Sequence, residues 1–244
     1  MTPADRARLT ALRHDLHRFP EISGDESQTA ARMAQILHDL GADQVLTGIG
    51  GHSVAAVFDS GQPGPSVAIR CELDALPIPE MTGVAYTSQN PGKSHLCGHD
   101  GHMVMAVAVA ESLAELRPKR GRALVFFQAA EETGKGAVAF RADPRFLDLA
   151  PDYVFSLHNL PGLAQGTVEL CYGATNCASR GMRIVLTGKT SHAAAPQDGL
   201  SPGRVMAQLM PALTDLGTGG DLTSDDSDAC ATGRGDLWHS ARLW

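Results

Sequence analysis

The chain has 244 residues, 43% of them hydrophobic, and a formal net charge of −7. That is enough apolar content for a buried core, and with no run of Lys or Arg it offers no footprint for nucleic acid or an anionic membrane surface. The N-terminal Met1-Thr-Pro-Ala-Asp lacks an apolar signal-peptide core, and the longest apolar stretch, Met103 to Ala110, is too short to span a bilayer, so a cytoplasmic protein with small-molecule chemistry is expected.

Thr2-Pro3-Ala4-Asp5 reads as an N-cap, a Pro at the first helical position and an acidic first turn; Leu9, Leu12, Leu16 and Phe19 follow at helical spacing, to a stop near Pro20. A second amphipathic helix is predicted from about Glu26 to Leu40, with Gly41 as its stop. Val54 to Phe58, Val67 to Cys71, Leu124 to Phe127 and Val154 to Leu157 are short apolar runs bounded by Gly, Pro or Asp and read as strands, with a helix from Met103 to Leu116 between them. This alternation predicts a layered α/β domain with a largely parallel sheet, whose sites belong at the carboxyl ends of its strands. From about Ser179 a smaller domain begins, with a strand at Met182 to Thr187 and a helix at Ser201 to Leu216; residues 217–244 show no sustained period. The expected division is 1–178, 179–216 and 217–244.

Four features carry chemistry. Cys97-Gly-His99-Asp-Gly-His102 stands at a helix entrance and brings two or three metal-ligand types together; a capping turn with a buried thiol, or a structural zinc site, is the alternative. Glu131-Glu132 follows a strand, and two adjacent carboxylates share a site only if the chain has already left the strand. One could then bind metal while its neighbour serves as general base; the plainer reading is a solvated strand end. His158 and Asp74 also end strands, where a structural histidine and a turn residue before Pro77 are the ordinary readings. Five cysteines at irregular spacing (Cys71, Cys97, Cys171, Cys177, Cys230) argue for reduced thiols.

Taken together, Leu16-His-Arg-Phe-Pro-Glu21, Asp74-Ala-Leu-Pro77, Cys97 to His102, Phe127-Gln-Ala-Ala-Glu-Glu132 and Gly188-Lys-Thr-Ser-His192-Ala-Ala resemble the aminoacylase-type metallopeptidase family. Within it they are similar to the subfamily of N-acyl amino-acid amidohydrolases, hippurate hydrolases and auxin-conjugate hydrolases. The resemblance implies a catalytic domain with a small inserted α+β, ferredoxin-like lid and dimerisation domain, and a homodimer formed through it. It implies two divalent ions, zinc or else manganese, cobalt or nickel, about 3.5–4 Å apart. Cys97 would bridge them as a thiolate, with His99, Glu132 and His158 as further ligands. Glu131 would be the general base and acid, Asp74 would orient a ligand imidazole, and His192 would donate to the oxyanion, reaching the site of a dimer partner. The implied reaction is hydrolysis of an N-acyl amino acid to a carboxylate and an amino acid.

Two departures accompany the resemblance. Glu72 stands where the family usually has Asp. Family members also continue beyond this chain, through the rest of the inserted domain to a last metal-ligand histidine; His239, in Leu237-Trp-His-Ser240, lacks the surrounding motif, and the stretch from Gly217 reads as a frameshift or early end. An inactive fragment or non-catalytic metal-binding module, and a dipeptidase or carboxypeptidase of the same superfamily, are the competing expectations.

Overall fold

The structure, a computed structural model, describes residues 1–170 and 182–214. The chain divides into two units, Met1–Gly162 and Leu163–Trp244.

The first unit opens with α1 (Pro3–Arg18), whose start is the expected capping box: the Thr2 hydroxyl accepts the Asp5 N–H at 3.2 Å, and Asp5 Oδ2 accepts the Thr2 N–H at 2.7 Å. Helix α2 (Ser27–Asp39) presents Met33, Ala34 and Leu37 to the core. Its N-terminus is capped from outside the helix by Glu21, whose Oε2 accepts from the Thr29 N–H at 2.7 Å and hydroxyl at 2.8 Å. Strands β1 (Gln44–Ile49), β2 (Ser53–Asp59) and β3 (Ser66–Glu72) follow, then α3 (His99–Glu115), β4 (Arg122–Gln128), α4 (Gly136–Ala142), α5 (Phe146–Leu149) and β5 (Tyr153–Ser156).

The five strands form one sheet in the order β1-β2-β4-β3-β5. Strands β4, β3 and β5 run parallel, while β2 joins β4 and β1 joins β2 antiparallel. Alternation along the strands divides the core in two. Val54, Ala56, Phe58, Val125 and Phe127 pack with Leu9, Leu16, Met33, Leu37, Met103 and Val107 of the three long helices. On the opposite face Ala55, Val57, Leu124 and Phe126 pack with Phe140 and Leu149 of α4 and α5. The β3–α3–β4 crossover moves the chain to one side of β3, and the connection through α4 and α5 returns it to the other. The carboxyl ends of β4, β3 and β5 therefore lie side by side.

Strands β2 to β5 and helices α1 to α3 match the expected runs; β1, α4 and α5 are additional. Strand β1 is half exposed and has Gly48 inside it, so its alternation is weak, and α4 and α5, at seven and four residues, are too short to register a helical period. Helix α3 starts four residues before the expected Met103, at His99, because Gly98 at φ 93° turns the chain directly into it. That places His99 and His102 in the first helical turn and Cys97 just before it.

In the second unit α6 (Gly203–Thr214) corresponds to the expected helix, and a short 3₁₀ turn spans Pro196–Asp198. Met182 to Thr187, expected as a strand, has no ladder partner among the described residues; the pairing there is an isolated bridge between Lys189 and Leu200. An apolar run becomes a strand only where a neighbour takes its backbone bonds. The expected 178/179 boundary, the tail 217–244, Cys171, Cys177, Cys230 and His239 lie outside the described residues.

Candidate metal centre

Four backbone ends deliver the site. Cys97 and His99 come from the entrance of α3, Asp74 from just beyond β3, Glu131 and Glu132 from just beyond β4, and His158 from just beyond β5. Gly98 is required here twice over: its φ is 93°, and a Cβ would collide with the Asn159 side-chain amide.

The two candidate imidazole ligands are set in the same way. His99 Nδ1 donates to the Asp74 main-chain carbonyl at 2.7 Å, and His158 Nδ1 donates to the Asn159 carbonyl at 2.8 Å. A carbonyl oxygen only accepts, so each ring carries its proton on Nδ1 and presents Nε2 for ligation. His158 Nε2 stands 3.4 Å from Cys97 Sγ. His99 Nε2 stands 3.8 Å from both Glu131 Oε2 and Glu132 Oε1. Among the described residues three groups could hold an ion, Cys97 with His99 and His158, His99 with Glu131 and Glu132, and Glu72 with His99 and His102; His99 belongs to all three.

Whether these residues fit a divalent ion is tested by their unused valences. His99 Nε2 and Glu132 Oε1 are buried and have no hydrogen-bond partner. At 3.8 Å they are too far apart to bond each other, yet within the span of one ion bound to both at about 2.0–2.2 Å. Leaving two such groups dry and unpaired would cost several kcal/mol, of order 1–3 each. The local charge points the same way. Burial alone would push His99 down, but Asp74, the Cys97 sulfur and Glu72 together raise it to about 11, so the surroundings favour positive charge at this ring, supplied at Nε2 by a second proton or by an ion that replaces it. Burial also pushes the Glu132 carboxyl up, against His99 and Cys97, with Glu131 and Asp74 adding to the rise. A mixed sulfur, nitrogen and oxygen donor set of this kind fits divalent transition ions.

Asp74 does more than orient an imidazole. Its Oδ2 accepts from the Ser23 hydroxyl at 2.6 Å and the Glu132 N–H at 3.0 Å. Burial pushes this carboxyl up, but the His99 ring, Ser23 and the N–H groups of Glu132 and Glu131 outweigh it and hold the group down to about 2. His102 is occupied on both nitrogens: Nδ1 meets Glu72 Oε2 at 2.7 Å and Nε2 meets Asn159 Oδ1 at 2.7 Å. It braces the centre from behind. Deeper still, Asp100 Oδ2 accepts from Arg13 Nε at 3.1 Å and lies 2.9 Å from His17 Nδ1, whose other nitrogen reaches Glu80 at 3.1 Å.

The structure thus brings Asp74, Cys97, His99, Glu131, Glu132 and His158 together. His192 belongs to the second unit, where its Nδ1 accepts the Ala194 N–H at 3.1 Å. Sequence reasoning missed Asn159 and Ser23 as supports; only Asn159, adjacent to His158, stood beside a signal that could have flagged it.

Residues 68–234 match the family described as Peptidase family M20/M25/M40. The chain is 35% identical over 207 residues to the N-acetyl-L-cysteine deacetylase of Bacillus subtilis, covering 84% of this chain and 49% of that protein. It is 34% identical over 205 residues to the hippurate hydrolase of Campylobacter jejuni, covering 84% of this chain and 53% of that one. Among solved structures, a Bacillus subtilis protein described as a dinuclear metal-binding peptidase of the M20 family superposes with a TM-score of 0.62 at 32% identity, over 67% of this chain and 45% of that one. The chain spans about half the length of the curated relatives it matches. With the family match covering most of its length and its candidate metal-ligand residues gathered at one sheet edge, the chain belongs to peptidase family M20/M25/M40.

Proposed function

We propose that this chain carries the catalytic centre of a metal-dependent amidohydrolase that cleaves N-acyl amino acids. The observation that carries the reading is the pair of buried, unpartnered ligand atoms, His99 Nε2 and Glu132 Oε1, with the side chain of Glu131 40% exposed beside them. A structural ion needs no free carboxylate at its edge; a hydrolase does. Cys97, His99, Glu132 and His158 would hold the ions. Divalent ions in such a site polarise the scissile carbonyl and lower the pKa of water. Zinc suits the thiolate and imidazoles, and manganese, cobalt or nickel are the other candidates.

Glu131 is assigned the proton traffic. It takes a proton from the attacking water as the C–O bond forms and a tetrahedral oxyanion results, then passes that proton to the leaving nitrogen as the oxyanion collapses and the C–N bond breaks; the acid proton of the new carboxyl passes to the amine, leaving a carboxylate and an ammonium. Asp74 holds the Glu132 backbone and fixes the His99 tautomer. His192 is assigned to the oxyanion and the second unit to a homodimer contact, both supported by the resemblance of the Gly188–Ala194 motif. The names of the two relatives, an N-acetyl-L-cysteine deacetylase and a hippurate hydrolase, support an N-acyl amino acid over a dipeptide.

The test is hydrolysis of N-acetyl and N-benzoyl amino acids, with dipeptides alongside, by the wild type and Glu131→Gln, together with metal analysis of both. Glu131→Gln is expected to keep its metal and lose about 10²–10⁴-fold in turnover. Equal turnover in the two proteins, or faster cleavage of dipeptides, would overturn the assignment.

A further inference from the structure

We propose that Glu26 is a positioning residue for the Glu131–Glu132 pair, acting through the backbone of Ala130; the inference rests on the functional reading above. Glu26 is fully buried and stands at the N-cap of α2, yet its side chain does not cap that helix. Glu21 does so instead. The Glu26 carboxylate turns inward, and its Oε1 accepts the Ala130 N–H at 2.7 Å, across 104 residues of sequence. Its Oε2 has no partner. A buried carboxylate is an expensive choice for an ordinary core position.

Ala130 gives that choice a reason. Among the described residues it is the one non-glycine with positive φ, at 51°. For an L-residue this left-handed conformation costs roughly 1–2 kcal/mol, so its surroundings must hold it there. Neighbouring side chains on a strand point to opposite faces; a left-handed residue two positions beyond β4 breaks that alternation. The result is that Glu131 and Glu132, adjacent in sequence, both come to 3.8 Å from His99 Nε2. The turn is pinned on every side: the Ser53 hydroxyl accepts the Ala129 N–H at 2.9 Å, the Gly136 N–H donates to the Ala130 carbonyl at 3.0 Å, and Asp74 accepts the Glu132 N–H. Ser53, Gly136 and Asp74 serve the flanks. Glu26 holds the strained residue itself, accepting its N–H at 2.7 Å.

The decisive comparison is between Glu26→Gln, which keeps an acceptor for the Ala130 N–H, and Glu26→Met, which fills the same space without one. Each is made alone and with Ala130→Gly, since glycine adopts positive φ without strain. Amide hydrogen exchange over residues 128–134 and Zn²⁺ affinity by chelator competition are the readouts. Glu26→Met is expected to raise exchange at Ala130 and to weaken Zn²⁺ binding about 10-fold or more, the scale for lost support of a metal ligand. Glu26→Gln should stay within about threefold of the wild type, and Ala130→Gly should recover most of the loss in the Met background. A core-packing role would make Gln as harmful as Met and leave Ala130→Gly without effect, and either result overturns the proposal. If Glu26→Met folds only when combined with Ala130→Gly, the proposal stands; if neither folds, it falls. Should the wild type bind no Zn²⁺, the functional reading fails, and the exchange pattern still decides the role of Glu26.

Discussion

Asp74 reaches His99 through its main-chain carbonyl, 2.7 Å from Nδ1, while its carboxylate Oδ1 stands 3.7 Å from the same nitrogen. The carboxylate instead serves the neighbouring strand end, where Oδ2 holds the Glu132 N–H and the Ser23 hydroxyl. One residue thus links two candidate ligands by two different routes, and only one of the routes depends on its side chain.

Substitution separates those routes. Asp74→Ala leaves the carbonyl in place, so the His99 Nδ1 proton should persist, detectable by ¹⁵N–¹H correlation of the imidazole. The loss appears at Glu132, whose backbone is released, and metal affinity should fall about 10–100-fold, as for other supports of metal ligands. A His99 tautomer that changes in this variant would show that the carboxylate, not the carbonyl, governs the ring.

His102 and His99 lie three residues apart in the same helical turn and are easily confused as ligands. Their partners distinguish them: His102 is bonded at both nitrogens, whereas His99 Nε2 is bare. His99→Ala should therefore abolish binding of an ion. His102→Ala should retain it while losing stability, about 1–3 kcal/mol for the partner groups left unpaired at Glu72 and Asn159. Denaturant midpoints and metal content measured on both variants would reverse this assignment if it is His102→Ala that emerges without metal.

These contrasts mark what the sequence could and could not reveal. Cys97, His99, Glu131, Glu132 and His158 were legible because ligand-type residues fell at the ends of predicted strands and at a helix entrance, and a parallel sheet gathers such ends on one edge. The long helices and inner strands were legible from their periodicity. What escaped detection depends on tertiary distance. Glu26 looks like an ordinary helix-start residue, and nothing local reports that Ala130, 104 residues away, will need an acceptor. Ala130 itself gives no warning of a left-handed conformation, which is more common in Gly, Asn and Asp. The main-chain bond from Asp74 to His99 was equally out of reach, because side-chain identity does not encode it.

Gly98 offers a test of how tightly the entrance of α3 is built. Any side chain there meets two penalties at once, the left-handed φ of 93° and the Asn159 amide. The first costs roughly 1–2 kcal/mol for alanine, and the second displaces Asn159 from His102. Gly98→Ala should therefore lose at least that much stability, and also loosen His158, whose Nδ1 bonds the Asn159 carbonyl. Pairing Gly98→Ala with Asn159→Gly should recover part of the stability but not metal affinity. Full recovery of both would mean that the Asn159 side chain contributes nothing to the centre.

His95 predicts how the fold responds to acid. It is 3% exposed, and neither ring nitrogen has a partner. Burial pushes its imidazole down to about 4, with His99 and His17 adding to the effect and Asp100 and Asp74 opposing it. In the unfolded chain the ring titrates near 6.5. Between these values the unfolded state binds a proton that the folded state refuses, so the stabilisation is complete above about pH 6.5 and is lost as pH falls toward 4. The slope approaches about 1.4 kcal/mol per pH unit, and the integrated loss is of the order of 3 kcal/mol. Other groups titrate in the same window, and subtracting the profile of His95→Gln from that of the wild type isolates this one. Urea midpoints at pH 7.5, 6, 5 and 4.5, values chosen to bracket the window of about 4–6.5, should converge for the two proteins as pH falls. Parallel profiles would mean that His95 is hydrated or charged inside the fold, and the burial argument would then fail for this residue.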